Sequence, residues 1–588
     1  MHTNGDKLYK VKNIKLILKS IINEILIIFI FIFLINNYIG NVDKTIKADG
    51  VGYYDYLPSL FIHHDLIRKD IPVQKDSILY DRIKSLKLYV DFGDFKVNKY
   101  ACGTAVLQLP FFTYTYLTAD LEGNNNDGYQ KPFQKAVFYA TVFYLFLSIF
   151  FLKKLLELFD IKRNTIILSQ LLLVLATAVT HYTNYDAGFS HVYSLFAITA
   201  FFYFVRSYLR KGNLNQFILA CLFLGLIIIL RQINVLTILF VPFIAGSLIS
   251  LKDGFIHLLR NPKKLLIGIF LIFGLFFIQC LLWYLQTGKF LIYSYQGESF
   301  NFLDPQIFNI LFSYKKGLFV YTPILFISLL SLIWLTYKRQ YYLVFTWISF
   351  FIILTYVLSS WHSWFYGCSY GLRAYIDYYT VFFIPFALML GGIMKGMKIV
   401  IILLSFLTIP LNIIQTYQYK EYILHWIDMD KEKYWKVFLK TEDRYKGLVW
   451  KKNYNYNNYH TVKEFLIGDI NTSKNAHNVI YNGNSRDIPD FEYVSIIQVL
   501  IDNEYDNENN SKIILSINDT SSHHNYYWVD RSFICFSEKQ LNEWQTGLYN
   551  FEFRRIIDLK EKIITLEVKS GNQNNNFKNV RIKYLKHK

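Results

Sequence analysis

The sequence predicts a polytopic all-α membrane domain followed by a small β-rich soluble domain, and three observations support this fold class. Hydrophobic residues make up 53% of the 588 residues and charged residues only 18%, below the ~25% usual for soluble proteins. Long apolar runs recur between residues 21 and 417. Beyond residue 470, short alternating runs separated by Asn- and Ser-containing turns are typical of a small β-sandwich. The composition excludes a cytosolic enzyme, a disordered scaffold and a disulfide-stapled secreted domain.

The apolar runs have the length of membrane spans. A helix needs about 20 apolar residues to cross a hydrocarbon core of ~30 Å. Eleven runs meet this criterion, at residues 21–39, 136–152, 164–180, 191–208, 214–230, 233–250, 265–285, 317–337, 341–358, 376–394 and 399–417. The sequence therefore predicts four regions: a basic tail at 1–20, a transmembrane domain at 21–417 with a loop at 40–135, an amphipathic connecting region at 418–470 and a β-rich domain at 471–588.

The distribution of Lys and Arg predicts the orientation, because cytoplasmic loops of membrane proteins carry an excess of both. With a cytoplasmic N-terminus, the tail and the loops after the even-numbered spans are short and basic. Topology therefore explains the net charge of +18, and no nucleic-acid partner is needed. An odd number of spans places the C-terminal domain on the exoplasmic (periplasmic) side of a plasma (inner) membrane. The long loops fall on the same side, so chemistry is expected there.

The first candidate site directly follows span 1, in the segment Asp49-Gly50-Val51-Gly52-Tyr53-Tyr54-Asp55. Its two carboxylates, Asp49 and Asp55, are of the kind that serves as a general base. The glycines would let the backbone approach a ligand, and the tyrosines offer stacking faces and hydroxyls. The alternative interpretation is an Asp turn that caps a helix.

Three cations near span ends form the second set of candidates. Lys99 precedes a short apolar helix predicted at 101–117, where a lysine opposes the helix dipole unless an anion lies nearby. A substrate and a lipid headgroup are equally suitable anions. Arg231 lies in a tight turn between spans, and Lys316 comes just before span 8. Both either extend to lipid phosphates or bind a substrate phosphate.

The starts of spans 4 and 10 supply the remaining candidates. His191 opens span 4, where it is either structural or in need of a polar partner. Arg373 and Asp377 are four residues apart, so they are predicted to face each other on one helix. This pair either holds a phosphate or a sugar hydroxyl, or locks the helix. The preceding segment contains Trp361 and Trp364, in a pattern that an interfacial aromatic belt alone does not explain.

Other common chemistries have no support in the sequence. It contains no HExxH or P-loop motif. Its five cysteines are scattered, without the spacing of zinc ligands. Zinc proteolysis and nucleotide hydrolysis are therefore not predicted.

The order of these motifs resembles the GT-C glycosyltransferases, and more closely a bacterial group of family-39-like mannosyltransferase relatives. The similarity covers about residues 15–417 and rests on DGVGYYDYLP, KYACGTAVLQLPFF, GFSHVYSLF, RQIN, LFSYKKGLFVYTP and WHSWFYGCSYGLRAYIDYY. It implies a hexosyl- or pentosyltransferase that uses a polyprenyl-phosphate sugar donor and inverts the anomeric carbon. The acceptor would be a glycan, lipid or protein of the cell envelope, and membrane lipids would be further partners.

The resemblance also implies roles for individual residues. Asp49 would be the general base. In related enzymes two acidic residues are usually adjacent in this loop, whereas here the second carboxylate comes only at Asp55. This departure leaves open which carboxylate is the base and whether a divalent cation is required; no other cofactor is implied. Donor-phosphate contacts would come from Lys99, His191, Arg231, Lys316 and Arg373. Sugar contacts would come from Tyr54, Trp361, Trp364 and Asp377.

A flippase or transporter of lipid-linked sugars is the alternative function. Transporters tend to place charges near the bilayer midplane and often contain internal repeats. The predicted spans have few charges in their middles, and the distinctive residues lie at span ends. The sequence therefore favours an enzyme.

Overall fold

The computed structural model describes residues 20–36, 45–66, 88–92, 95–119, 127–450, 458–504, 511–519, 525–532, 544–552, 561–570 and 574–588. The predicted basic tail up to residue 19 and parts of the predicted 40–135 loop lie outside these residues. The chain forms two compact units, one made of residues 1–420 and 426–435 and the other of residues 421–425 and 436–588. The first is helical and the second is rich in β-strands.

Apolar helices make up most of the first unit. They are α1 (Ser20–Leu34), α2 (Asp49–Tyr54), α3 (Tyr56–Phe61), α4 (Gly103–Thr118), α5 (Lys131–Glu157), α6 (Arg163–Leu175), α7 (Val179–Asn184), α8 (His191–Lys211), α9 (Leu214–Leu230), α10 (Val241–Ala245), α11 (Leu248–Leu259), α12 (Pro262–Thr287), α13 (Ile307–Phe312), α14 (Leu318–Tyr321), α15 (Pro323–Ser328), α16 (Leu330–Tyr337), α17 (Tyr341–Ser359), α18 (Tyr379–Gly392), α19 (Lys395–Lys420) and α20 (Lys431–Val437). Two 3₁₀ helices, Gln232–Phe240 and Arg373–Tyr378, precede α10 and α18. A short hairpin, β1 (Tyr89–Phe92) and β2 (Phe95–Asn98), precedes α4.

The helices confirm the predicted multi-pass membrane fold. Within the described residues, six helical segments are long and apolar enough to cross a membrane. A seventh candidate, Gln232–Ala245 with Leu248–Leu259, is bent by 116°. Four shorter apolar helices, between 10 and 17 residues long, coincide with the remaining predicted spans. Among the described residues, each of the eleven predicted runs therefore contains helix, although not all have the full spanning length that the sequence suggested.

Two spans form the centre of the helical unit. Most residues of α8 and of the 373–392 segment are buried, whereas most of α12 and α19 is half-buried or exposed. The Oγ1 atoms of Thr199 and Thr380 lie 2.6 Å apart and form a hydrogen bond between the two central spans. His191 begins α8 and Arg373 begins the other central span. The packing of these two spans therefore brings their candidate residues to the same end.

A buried ion pair fastens α1 to the bundle. Lys153 on α5 donates to the Oε2 atom of Glu24 over 2.8 Å, and Gln170 on α6 donates to the Oε1 atom over 2.8 Å. Glu24 is fully buried. Removing one partner of such a pair leaves an uncompensated charge. The network therefore fixes the helix that precedes the Asp49 segment.

Gly103 lets α4 pack closely against α9. A Cβ atom at this position would lie 2.5 Å from the carbonyl carbon of Ile229, closer than real Cβ contacts allow. We expect Gly103→Ala to lower the free energy of unfolding by about 1–3 kcal/mol, because the backbone of α9 must move. The matched control is Gly274→Ala in α12, where a Cβ atom would meet nothing within 4 Å. Thermal unfolding of both variants in detergent tests this prediction, and equal melting temperatures would contradict it.

The second unit has the predicted antiparallel β-sheets. Its strands are β3 (Tyr459–Thr472), β4 (His477–Asn484), β5 (Val494–Glu504), β6 (Lys512–Asp519), β7 (Asn525–Ser532), β8 (Trp544–Glu552), β9 (Lys562–Lys569) and β10 (Asn575–His587). They form two four-stranded sheets in the orders β3-β10-β5-β8 and β4-β9-β6-β7. Val499 and Ile582 of one sheet share a buried core with Leu515 and Leu566 of the other, as in a sandwich.

Strands β3 and β4 were not expected from the sequence. The first clearly alternating run of the sequence begins at Tyr493, and the predicted domain begins at residue 471. β3 begins at Tyr459, inside the predicted connecting region, and its residues alternate mainly between half-buried and exposed. β3 and β4 each pair with a single neighbouring strand, because both lie at a sheet edge. Edge strands carry many polar residues, and this weakens the alternation from which strands are predicted.

Candidate active site

A cavity of about 610 Å³ lies in the helical unit. Six of the residues selected from the sequence line it: Asp49, Lys99, His191, Arg231, Trp361 and Arg373. Its polar lining also includes Tyr53, Tyr100, Tyr295 and Glu298, which the sequence reasoning did not select. The cavity therefore combines a carboxylate, several cations and an aromatic surface contributed by distant parts of the chain.

Asp49 is the first residue of α2 and forms an ion pair inside the cavity. Its Oδ2 atom lies 2.7 Å from the Nη1 atom of Arg373. No described residue donates a hydrogen bond to the other carboxylate oxygen, Oδ1. Because Asp49 remains about 28% exposed, this oxygen can accept a hydrogen bond from a ligand. The preceding residue, Ala48, has a φ of 46°, a conformation that is found mainly where the surroundings enforce it.

The glycines around Asp49 serve packing. A Cβ atom on Gly50 would lie 3.1 Å from the backbone of Gly188, and one on Gly52 would lie 2.2 Å from the ring of Tyr100. The sequence suggested that these glycines let the backbone approach a ligand. They instead let α2 approach the loop before α8 and the Tyr100 ring. This close packing holds Asp49 in the wall of the cavity.

Helical periodicity explains which residues of this segment reach the cavity. Residues four apart lie on the same face of a helix, so Tyr53 faces the cavity together with Asp49. The predicted sugar contact, Tyr54, is turned away and fully buried, and its hydroxyl donates to the Gly128 carbonyl over 2.7 Å. The i, i+4 spacing from Asp49 was the signal that would have identified Tyr53.

Asp55, the second predicted carboxylate, is not among the residues that line the cavity. It is fully buried, and the Tyr129 hydroxyl donates to its Oδ1 atom over 2.6 Å. Tyr89 and Ser59 donate to Oδ2. These contacts tie the end of α2 to the hairpin and to the start of α5. The structure thus gives Asp55 an anchoring position and leaves Asp49 as the exposed carboxylate of the pair.

Asp377 lies behind the cavity wall and is fully buried. Its Oδ1 atom is 2.7 Å from the Nδ1 atom of His191. Its Oδ2 atom accepts hydrogen bonds from Arg231 Nη1 over 3.0 Å and from Asn234 Nδ2 over 2.8 Å. The hydroxyl of Tyr378 donates in turn to the Asn234 Oδ1 atom over 2.9 Å. Asp377 thus connects two side chains that line the cavity without being one of the lining residues itself.

The predicted pairing of Arg373 with Asp377 is wrong. The residues 373–378 form a 3₁₀ helix, which has about three residues per turn, so residues four apart are not aligned as they are in an α-helix. Arg373 pairs with Asp49, and Asp377 pairs with Arg231 and His191. The two charges therefore belong to two separate ion pairs at the same cavity.

Arg231 keeps its charge in this buried position. Burial opposes the charged form, but the carboxylate of Asp377 together with the neighbouring tyrosines outweighs it and raises the pKa of Arg231 above its ordinary value. The residue ends α9 in an extended conformation and is followed directly by the 3₁₀ helix 232–240. This break in the helix directs the Arg231 side chain to the cavity, where it remains about 16% exposed.

Lys99 has the anionic neighbour that its position before α4 predicted, and the anion belongs to the protein. Its Nζ atom forms an ion pair with the Oε1 atom of Glu298, and the Ser294 hydroxyl donates to its carbonyl over 2.9 Å. These contacts hold the 289–306 segment beside Lys99, where it contributes to the lining of the cavity. Glu298 was missed because nothing in the sequence connects it with Lys99, 199 residues earlier.

The aromatic lining forms a continuous surface. The ring centroids of Tyr53 and Tyr100 lie 4.7 Å apart, those of Tyr100 and Tyr295 lie 6.3 Å apart, and those of Tyr295 and Trp361 lie 5.9 Å apart. Burial raises the pKa of all three tyrosines, so their hydroxyls stay protonated. Trp364 lies in the same loop as Trp361 but contacts Phe365 and is not among the lining residues.

Lys316 also lies outside the cavity lining. It is buried, and its Nζ atom donates to the carbonyls of Ser369 and Trp426. Burial lowers its pKa to about 7. Lys316 therefore connects the 359–372 loop to the segment that follows α19, and the structure offers it no route to a ligand in the cavity.

The lowered pKa of Lys316 predicts a pH-dependent stability. Between about pH 7 and the ordinary lysine value of 10.5, the unfolded chain binds a proton that the folded chain does not. The free energy of unfolding therefore rises with pH in this window, by about 1.4 kcal/mol per unit. Below pH 7 both states are protonated, so the free energy of unfolding stays at its lower level and no longer changes with pH through Lys316. We expect the melting temperature of the wild type, relative to that of Lys316→Met at the same pH, to rise between pH 7 and pH 9. A difference between the two melting temperatures that does not change with pH would contradict the prediction.

The divalent cation left open by the sequence has no evident ligand set. Among the described residues, no three His, Cys, Asp or Glu side chains come together as metal ligands would. The two carboxylates in the cavity lining, Asp49 and Glu298, each pair with a cation. These residues do not fit a divalent-cation site.

Comparisons with known proteins give matches among solved structures alone. No protein-family model matches the chain, and no curated protein matches it. Archaeal oligosaccharyltransferase AglB from Archaeoglobus fulgidus, in complex with an inhibitory peptide and a dolichol-phosphate, is similar with 10% identity and a TM-score of 0.39 over 72% of this chain. The apo form of the Archaeoglobus fulgidus oligosaccharyltransferase is similar with 11% identity and a TM-score of 0.39 over 71% of this chain. The match spans 60% of the length of each of these structures.

Proposed function

We propose that the protein is a membrane glycosyltransferase that transfers a hexose or pentose from a polyprenyl-phosphate donor to an acceptor of the cell envelope, with inversion at the anomeric carbon. The observation that carries this proposal is the joint presence of Asp49, Arg231 and Arg373 in one cavity of a multi-pass membrane protein. The cavity would face the exoplasmic side, and the acceptor would be a glycan, a lipid or a protein.

Asp49 is the general base of the proposed reaction. Its Oδ1 atom accepts the proton of the acceptor hydroxyl while that oxygen attacks the anomeric carbon. The ion pair with Arg373 holds the carboxylate through Oδ2 alone and keeps Oδ1 available. A base acts on a hydroxyl within hydrogen-bond reach, and the Oδ1 atom of Asp49 has no hydrogen-bond donor among the described residues.

Arg231 and Arg373 stabilise the leaving group. As the new glycosidic bond forms, the bond between the anomeric carbon and the phosphate oxygen breaks, and the electron pair remains on the polyprenyl phosphate. Preorganised cations lower the free energy of such a developing charge. Both guanidinium groups are fixed by carboxylates before the substrate arrives. Lys99 and His191 complete the polar lining on which the donor would bind.

The rest of the lining suits the two other parts of this donor. The surface formed by Tyr53, Tyr100, Tyr295 and Trp361 offers flat faces and hydroxyl donors to a sugar ring. Leu230, Ile233, Leu236 and Ile292 line the cavity as well and would contact an isoprenoid chain. Val235 also lines the cavity and is 39% exposed on the surface of the unit, which suits entry of a donor from the lipid.

Transfer in proteoliposomes tests the proposed function. The purified full chain is reconstituted in phosphatidylethanolamine and phosphatidylglycerol vesicles with radiolabelled undecaprenyl-phosphate hexoses and pentoses, and with a crude bacterial envelope as acceptor. We expect label to pass from at least one donor to the acceptor. Label that moves from one leaflet to the other without transfer would instead support the flippase alternative and overturn the enzyme.

A further inference from the structure

We propose that Asp377 is a positioning residue that keeps His191 in the Nδ1–H tautomer. The Nε2 atom of His191 then presents a lone pair to the cavity and accepts a hydrogen bond from a substrate hydroxyl, and it does not bind a phosphate oxygen. This inference deepens the proposed function and rests on it for the identity of the substrate. The sequence left open whether His191 contacts a phosphate or a hydroxyl, and predicted that Asp377 itself contacts the sugar.

The contacts of the imidazole define its tautomer. The Nδ1 atom lies 2.7 Å from the Asp377 Oδ1 atom, and an ionised carboxylate only accepts hydrogen bonds. Without a hydrogen on Nδ1, two lone pairs would face each other at this distance. Arg231 Nη1 is 3.4 Å from the same nitrogen but only 3.0 Å from Asp377 Oδ2, so the guanidinium is paired with the carboxylate. Nδ1 therefore carries the hydrogen.

The carboxylate that sets the tautomer is itself fixed from several directions. Asn234 donates to its Oδ2 atom over 2.8 Å, and Tyr378 donates to the Asn234 Oδ1 atom over 2.9 Å. The Asn234 amide is thereby oriented with its NH₂ group toward Asp377. An imidazole whose one nitrogen donates to a carboxylate is held in a single ring orientation. The ring has no freedom to exchange its two nitrogens.

The second ring nitrogen is the one available to a ligand. No described residue forms a hydrogen bond with the Nε2 atom of His191, although the residue lines the cavity. In a neutral imidazole protonated on Nδ1, Nε2 is an acceptor. An acceptor pairs with a hydroxyl, whereas the phosphate oxygens of the donor accept hydrogen bonds themselves. The arginines of the cavity are left to bind the phosphate, and His191 selects for a hydroxyl-bearing group.

Histidine ¹⁵N NMR measures this tautomer without any substrate. The full chain is labelled with ¹⁵N-histidine and reconstituted in vesicles, and the signal that disappears in His191→Gln assigns the residue. His181 is a matched internal control, because its Nε2 atom lies 2.8 Å from Asp186 Oδ2 and its buried Nδ1 atom has no partner among the described residues. We expect a Nδ1–H tautomer at His191 and a Nε2–H tautomer at His181.

Two results would overturn the inference. The first is a wild-type His191 with its proton on Nε2, or with protons on both nitrogens. The second is an unchanged His191 tautomer in Asp377→Asn, where we expect the amide NH₂ to donate to Nδ1 and move the proton to Nε2. Asp186→Asn is the matched variant, since it should change the His181 signal and leave that of His191 as it is. The spectra remain informative if the protein proves not to be a transferase.

Transfer kinetics test the assigned partner once a donor is found. In the proteoliposome assay with that undecaprenyl-phosphate sugar, we expect His191→Gln to retain part of the rate, because the Gln carbonyl still accepts a hydrogen bond. His191→Phe should lose about 10-fold or more in kcat/KM relative to the wild type. With an analogue of the donor or acceptor that lacks the contacted hydroxyl, the kcat/KM values of the wild type and of His191→Phe should lie closer together. Equal losses in the two variants with every deoxy analogue tested would contradict a hydroxyl contact.

Discussion

Asp49→Asn is expected to reduce sugar transfer by about 100- to 10,000-fold, the usual contribution of a positioned general base. The amide keeps the size of the side chain but cannot accept the proton of the acceptor hydroxyl. The loss should appear in kcat, because the donor contacts of the cavity remain. The proteoliposome assay measures it, with the amount of folded protein determined by size-exclusion chromatography for each variant.

Asp304→Asn is the matched control for this prediction. Asp304 lies in the same 289–306 segment as Glu298 but is exposed and outside the cavity lining, so its transfer rate should equal that of the wild type. A second comparison is Asp49→Glu, which retains a carboxylate and should keep more activity than Asn. Wild-type transfer by Asp49→Asn would move the proton acceptor away from this carboxylate and contradict the assigned role.

The sequence predicted those parts of the structure that depend on local composition. Apolar run length placed the helical segments, because crossing a bilayer requires a minimum number of apolar residues. Alternation placed the strands β5 to β10, whose inward residues are strongly apolar. It missed β3 and β4, because polar edge strands carry a weaker pattern. Helix lengths and breaks, such as the 116° bend after Ala245, depend on packing and could not be predicted from local composition.

Several residues of the candidate site were predictable from the sequence, but the ion pairs that they form were not. Asp49, Arg231 and Arg373 attract attention because they lie near span ends on the predicted exoplasmic side, where the positive-inside rule does not account for them. Their partners come from segments far away in the chain, as with Asp377 and Arg231, which are 146 residues apart. The expectation for Arg373 assumed an α-helix where a 3₁₀ helix forms. Local periodicity applied to α2 would have separated Tyr53 from Tyr54, since the i, i+4 rule holds there.

Arg231→Gln is expected to lower transfer by about 100- to 1,000-fold, as the loss of one preorganised donor at a developing charge does. Glutamine can donate one hydrogen bond but brings no charge to the leaving phosphate. Arg231→Lys keeps the charge and should retain more activity than Gln, although it loses the planar geometry. Arg373→Gln is not an equivalent test, because it also removes the ion-pair partner of the proposed base.

The same substitution should destabilise the fold, and a double variant separates the two effects. Arg231→Gln leaves the fully buried Asp377 with an uncompensated charge, which typically costs about 3–5 kcal/mol. Removing both charges in Arg231→Gln/Asp377→Asn should recover most of the lost melting temperature, because neutral buried pairs avoid that penalty. Transfer per folded molecule should stay low, since the cation is still missing. Recovery of transfer together with stability would mean that Arg231 matters only as the partner of Asp377, and that the leaving phosphate is stabilised by other groups.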